Sequence, residues 1–392
     1  MMDTTPYTRS TSTDAALQKE SRGGIVALII GHCAGLMDIT ALPIWVGMVL
    51  VGSLALEPQK AGFLLTLFLG SVVLSSLYFA PRLTRINRRR IQPMAYALAG
   101  LAFAWMTQVG SNYGLLATTH VIAGLSVGCG LSIVHGTMGG TGNPHRTAAI
   151  AFTMLSLVST LMLSILPPLV GRIGPNVFFY TMAGIMFIAS LAGLLAFPQI
   201  DKVAKHESLA VSRLPARVWF AIAGVSLLMV THSMILGFVE RIGVSHGFST
   251  AQITTVLVVS GLANLVFVTL SGPLGSRLSA GWVVVIGPLI QATAALTVAQ
   301  LSIYATYIVG TSIFISVLTF THVFAFGLIA RMEPTGRVLA ATPVMIMAGS
   351  AVGPLLGGML AQHVDYASLG WAAVAFGLLA ATSFGLATRG LR

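Results

Sequence analysis

Ile25 to Leu50 reads IVALIIGHCAGLMDITALPIWVGMVL. The stretch is long enough to cross a bilayer, for which about 20 mainly apolar residues suffice. Near its middle stands Asp38, and no other Asp, Glu, Lys or Arg falls so deep in an apolar run. A carboxylate at the bilayer centre costs at least about 2.5 kcal/mol on insertion scales, so such residues face protein or water and carry function by default. The stretch predicts a first membrane helix built around a functional acid.

The rest of the chain fits that reading. Its 392 residues are 56% hydrophobic and only 8% charged, where soluble domains are nearer a quarter charged. The apolar runs are continuous rather than alternating, which predicts spanning helices and not barrel strands. The net charge of +11 belongs to loops between spans. With no soluble module to carry a basic face, nucleic acid is not an expected partner. Cys33 and Cys129 both fall inside apolar segments and read as small packing residues, not as a disulfide or metal site. The first 22 residues are polar, and the apolar run after them is too long for a signal peptide, so no cleavage is expected.

Sliding along the sequence predicts an all-α membrane protein of twelve spans: 24–50, 61–81, 92–110, 114–135, 147–170 and 176–197, then 218–239, 252–274, 281–300, 302–328, 338–361 and 368–388. The expected organisation is a tail at 1–22, a six-helix bundle at 23–197, a polar loop at 198–217 and a second bundle at 218–392. On this layout Lys60, Arg172 and Arg241 fall on one side, and the other 18 of the 21 Lys and Arg fall on the side of the termini. The positive-inside rule makes that side cytoplasmic, so the protein is expected in the inner (plasma) membrane with both termini in the cytoplasm. Trp45, Trp105 and Trp371 fall near outer span ends and Trp219 and Trp282 near inner ends, as an aromatic belt requires.

The two halves read as repeats. Ala80-Pro-Arg-Leu-Thr-Arg85 closes span two, and Gly272-Pro-Leu-Gly-Ser-Arg277 closes span eight 192 positions later; Arg146 and Arg337 open spans five and eleven, 191 apart. Such duplication is common in secondary transporters.

These residues resemble the major facilitator superfamily, over about Gly23 to Arg389. The family's loop after span two runs roughly G-x-L-A-D-R-x-G-R-R-R. Here Ala80, Pro81, Arg82, Leu83, Thr84, Arg85, Ile86, Asn87, Arg88, Arg89 and Arg90 stand in that register. The resemblance makes Thr84, Arg85, Arg88, Arg89 and the equivalent Arg277 a gating loop, with Thr84 where the family carries an acid. The alternative is that Arg88 to Arg90 only anchor topology. His120, four before Gly124, stands where the family has an Arg. The antiporter signature G-P-x-x-G-G is degenerate in span five and well matched in span eleven, at Gly353-Pro354-Leu-Leu-Gly357-Gly358. Gly349, Gly353 and Gly357 are spaced to let another helix approach closely.

The resemblance also implies a central cavity bounded by spans one, four, seven and ten. Each of those holds histidine: His32, His120 with His135, His232, and His322. Asp38 and His232 lie equally far into the first span of each half and are pseudo-equivalent. Asp38, His120 and His232 are the expected proton-coupling residues; His32, His322, Asn264 and Gln291 are the expected substrate contacts. For each histidine or amide alone, packing or interhelical bonding is the plainer alternative.

The expected function is proton-coupled secondary transport of a small, partly apolar organic solute, in either direction. Desolvation favours the neutral form of a carboxyl group, so one exposed to each side in turn can carry a proton. With no Lys or Arg mid-membrane, a strongly anionic substrate lacks a fixed partner. The alternatives are a drug or metabolite exporter not coupled through Asp38, a facilitative organic-anion carrier, or a substrate sensor without flux. An enzyme is not expected. No H-E-x-x-H is present, and His120 and His135, about 22 Å apart along a helix, lack the second pair that transmembrane haem needs. No cofactor or metal is expected, and the expected state is a monomer whose partners are the solute, protons and the bilayer.

Overall fold

The computed structural model describes residues 21–198, 214–275, 277–333, 338 and 342–389, and every described element is helical. Twelve long helices follow one another: α1 (Arg22–Leu42), α2 (Pro58–Phe79), α3 (Arg88–Val109), α4 (Tyr113–Met138), α5 (Pro144–Ile173), α6 (Asn176–Ala196), α7 (Ala216–Ser245), α8 (Thr250–Gly275), α9 (Ala280–Gln300), α10 (Tyr304–Met332), α11 (Thr342–His363) and α12 (Ser368–Thr388). Eleven are long and apolar enough to cross a membrane; α3, which opens on three arginines, is the one that falls short. The expected tail 1–22 and loop 198–217 lie mostly outside the described residues.

Local chemistry sets several helix starts. Ser21, Asn87, Asn112 and Asn143 each accept a hydrogen bond from the backbone N–H three residues on, at 3.0–3.2 Å, which satisfies a donor that a helix start leaves orphaned. At Pro43 the ring removes an N–H, and α1 continues not as α-helix but as π-helix over Pro43–Ser53. Leu54 N–H then bonds back five residues to the Val49 carbonyl. Such wide turns are rare and tend to mark functional positions.

Helices α1–α6 and α7–α12 pack in one pattern. In the first half α1 touches α4, α5 and α6, α2 touches α4, and α3 touches α4 and α6. In the second α7 touches α10, α11 and α12, α8 touches α10, and α9 touches α10 and α12. The contacts between halves are reciprocal too, α2 with α11 and α5 with α8. These are two pseudo-symmetric six-helix bundles.

The glycine run of α11 is explained by this packing. A Cβ at Gly349 would lie 2.2 Å from the Ser226 carbonyl, one at Gly353 2.6 Å from the Val230 carbonyl, and one at Gly357 2.9 Å from the Phe238 ring. The helix that approaches closely is therefore α7. Gly358 faces the other half instead, 2.3 Å from the Pro58 carbonyl of α2.

The tryptophan reading needs one correction. Trp105, Trp371, Trp219 and Trp282 are exposed, but Trp45 is fully buried among Phe68, Phe103, Phe178 and His120. It belongs to the core of the first bundle, because the π-helical segment turns that face inward against four helices.

Candidate functional site

The halves meet unevenly along their length. At the end where α1 stops, they are sealed. Residues 41–50 are all buried, as are residues 228–240 of α7. Gln59 N–H donates to Gln362 Oε1 (3.1 Å), and His363 Nε2 bonds Gln59 Oε1 (2.9 Å), tying α2 to α11. A Cβ at Gly62 would sit 2.0 Å from the Pro354 carbonyl.

Toward the other end the halves part. Thr66 Oγ1 donates to the Ala351 carbonyl (2.6 Å), and beyond it α2 and α11 diverge around a cleft of about 400 Å³ lined by Thr66, Gly70, Ser71, Leu74, Ala348 and Ala351. Partly exposed Ile29, Ile30, Leu36, Ile39 and Thr40 run along α1, and Ile222, Ala223, Ser226 and Leu227 run along α7. Ile39 packs against Leu228, Met229 and Leu318 of the second half, so this strip of α1 looks across the gap. The gap is open at the end where α1 begins and closes just beyond residue 40.

Asp38 lies at that level. It is 1% exposed. Its Oδ1 accepts from the Ile39 N–H (2.8 Å), while Oδ2 has no protein partner. The Tyr96 hydroxyl of α3 stands within electrostatic reach and donates to the Gly31 carbonyl (2.6 Å). The carboxyl thus sits one residue from the point of contact between halves, with no Lys or Arg paired to it among the described residues. Among the described residues, Asp38 and Glu240 are the carboxylates inside the spanning helices.

The histidines separate into three settings. His32 Nδ1 and His135 Nε2 are 3.0 Å apart, joining α1 to α4, with the Phe152 ring of α5 edge-on at 4.7 Å. His32 is buried and His135 half-buried. In the second half His232 stacks on Phe314 (5.3 Å, 9°) and His322 on Phe326 (5.4 Å, 8°); the two imidazoles lie within electrostatic reach, each with a buried nitrogen that has no protein partner. Each bundle therefore has a histidine on its first and on its fourth helix within electrostatic reach of each other, and in the first bundle the two are in contact. His120 stands apart: it is fully buried, its Nδ1 bonds the Leu116 carbonyl (2.7 Å), and its ring lies 5.3 Å from that of Trp45 at the sealed end.

The amides also differ. Gln291 of α9 is fully buried with neither amide atom paired to protein, and Asn264 of α8 is half-buried with its carbonyl oxygen unpaired. In the loop after α2, Thr84, Arg85 and Arg89 are exposed, Leu83 is buried against Gly136, and Arg88 Nη1 reaches Thr137 Oγ1 (3.4 Å). Arg277 is exposed after α8. The loop is thus tied to α4 of its own half.

Sequence reasoning missed Glu240 and Arg241. Span seven was expected to end at residue 239, which put both in a loop; α7 runs on to Ser245 and buries Glu240 to 5% exposure. The His32–His135 contact was also missed, because 103 residues separate the two and no local period connects them.

A family model for the Major Facilitator Superfamily matches residues 27–330. No curated protein matches the sequence. Among solved structures, a bacterial homologue of the human lysosomal transporter Spinster, in an inward-facing and occupied conformation, is similar with a TM-score of 0.71 and 12% identity, over 93% of this chain and 96% of that one. A mutant of the nucleoside transporter NupG is similar with a TM-score of 0.68 and 13% identity, over 92% of this chain and 98% of that one. At such identities the likeness is one of fold.

Proposed function

This chain belongs to the major facilitator superfamily, and from that premise we propose that it is a proton-coupled secondary transporter of a small, partly apolar organic solute, with Asp38 as the coupling carboxyl. The observation that carries the reading is the position of Asp38: an acid whose Oδ2 has no protein partner among the described residues, one residue from where the gap between halves closes. A group at that level changes its access to water when the halves rock. Protonation removes the cost of burying its charge. A bound proton would then favour closure of the gap at the side from which it entered, and release would follow opening on the other.

The walls support the solute class. The strip facing the gap is mostly aliphatic, with Thr40 and Ser226 as its polar members. Gln291, Asn264, His232 and His322 add hydrogen-bonding groups in the second half, each with a buried atom that no protein partner takes up. Pockets with an apolar lining and a few polar groups suit such ligands.

The test is accumulation against a gradient in proteoliposomes with an imposed pH difference. Asp38→Asn should abolish pH-driven accumulation while solute exchange without a gradient persists, because the amide keeps the size and hydrogen bonding of the acid. Full accumulation by this variant would remove Asp38 from coupling and leave His232, its pseudo-equivalent, as the candidate.

A further inference from the structure

We infer that Glu240 and Arg241 are positioning residues of the sealed end, an ion pair whose cover by two glycines of the opposite half sets how readily that end opens. The inference rests on the family-level alternation between open and closed ends and not on coupling through Asp38.

The geometry is specific. Arg241 donates from Nε to Glu240 Oε2 (2.6 Å) and from Nη2 to Oε1 (2.7 Å), a bidentate pair between neighbours in α7. The Glu240 side chain is 6% exposed and that of Arg241 21%. Their cover comes from the π-helical segment of the first half. A Cβ at Gly47 would lie 2.7 Å from Glu240 Oε2 and 2.9 Å from Glu240 Cβ, and one at Gly52 would lie 3.3 Å from Arg241 Nη2. A side chain at 47 would collide with Glu240, and one at 52 would press on the tip of Arg241. Within the second half, Tyr307 and Tyr366 stand within electrostatic reach of Glu240, and Tyr307 donates its hydroxyl to the Val239 carbonyl (2.5 Å).

The consequence follows from solvation. The first half presents glycine to the pair, so closing this end strips water from both charges and their mutual bonds must offset the loss. A buried pair is near balance when intact and strongly destabilising when one partner is removed, because the other charge stays buried and unpaired. The intact pair therefore lets the end close tightly yet hydrate readily on opening. Removing one charge penalises the closed state alone, since the open state hydrates the survivor. Removing both abolishes the penalty.

The experiment measures distance across the sealed end in the full-length protein in nanodiscs. Spin labels go at Lys60 and Asp365, exposed residues of the two halves, with Cys33 and Cys129 changed to alanine. The unsubstituted protein should show mainly the short distance. Arg241→Met, which leaves the Glu240 carboxylate buried and unpaired, should raise the ratio of long to short distances at least tenfold, and Gly47→Ala should move it the same way by steric contact. The double variant Glu240→Gln with Arg241→Met should return to mainly short distances. A double variant as open as Arg241→Met alone would show that packing and not charge matters, and would overturn the inference. So would single variants with unchanged distances, or a mainly long distance in the unsubstituted protein. None of these outcomes depends on Asp38→Asn, so the two readings stand or fall apart.

Discussion

At the residue scale, the buried polar groups differ in what they are free to do. His120 is fully buried beside the Trp45 ring and bonded to its own helix, so His120→Gln should lower the melting temperature by a few degrees, the equivalent of about 1–2 kcal/mol for a disturbed buried hydrogen bond, and leave the pH dependence of transport intact. A flattened pH profile would return His120 to the coupling path. The His32–His135 pair is placed differently, with one member half-buried. Neutral, it holds a single proton between Nδ1 and Nε2; with both rings protonated, both nitrogens would donate and the rings repel. His135→Phe keeps the ring and removes the bond, and should make transport less sensitive to acid. Proteoliposome flux across pH 5–8 checks this, and an unaltered acid limb would make the pair structural. These residue types were visible in the sequence. Their division into a nest, a pair and a stack was not, because it depends on which helices face each other.

At the element scale, the glycines of α11 do two jobs that one motif conceals. Gly353 lets α11 lie on α7 of its own bundle, while Gly358 lets it lie on α2 of the other. Overpacking inside a bundle costs stability, typically about 1–3 kcal/mol, so Gly353→Ala should lower thermal stability in detergent. Gly358→Ala acts where the halves separate during alternation. It should favour the form open at that end, read as faster labelling of a cysteine introduced at Gln59, with little loss of thermal stability. Equal loss of stability in both variants would refute the division. The π-helical end of α1 is the element least visible beforehand. Pro43 announced an interrupted ladder, but whether the chain kinks, stops or widens its turns depends on what packs around it, and here Trp45 turns inward and Gly47 meets Glu240.

At the scale of the whole molecule, the charge bias of 18 to 3 and the positive-inside rule predict that the sealed end faces outside the cell. Val364→Cys, in the exposed turn after α11, should therefore react with an impermeant thiol reagent in intact cells, and failure to label before permeabilisation would reverse the orientation. The twelve-helix layout, the duplication and the isolation of Asp38 were all determined by sequence alone. Bilayer thickness dictates the length of each apolar run, and a lone acid within such a run stands out without any knowledge of its neighbours. Only the tertiary structure decided that Asp38 lies where the gap closes, that His32 meets His135, and that glycines of the other half lie against Glu240 and Arg241. Those facts arise between helices far apart in the chain. The apolar pattern says that a helix is in the membrane, but every face of such a helix is apolar whether it meets lipid or protein, so the pattern cannot say which helix it will touch.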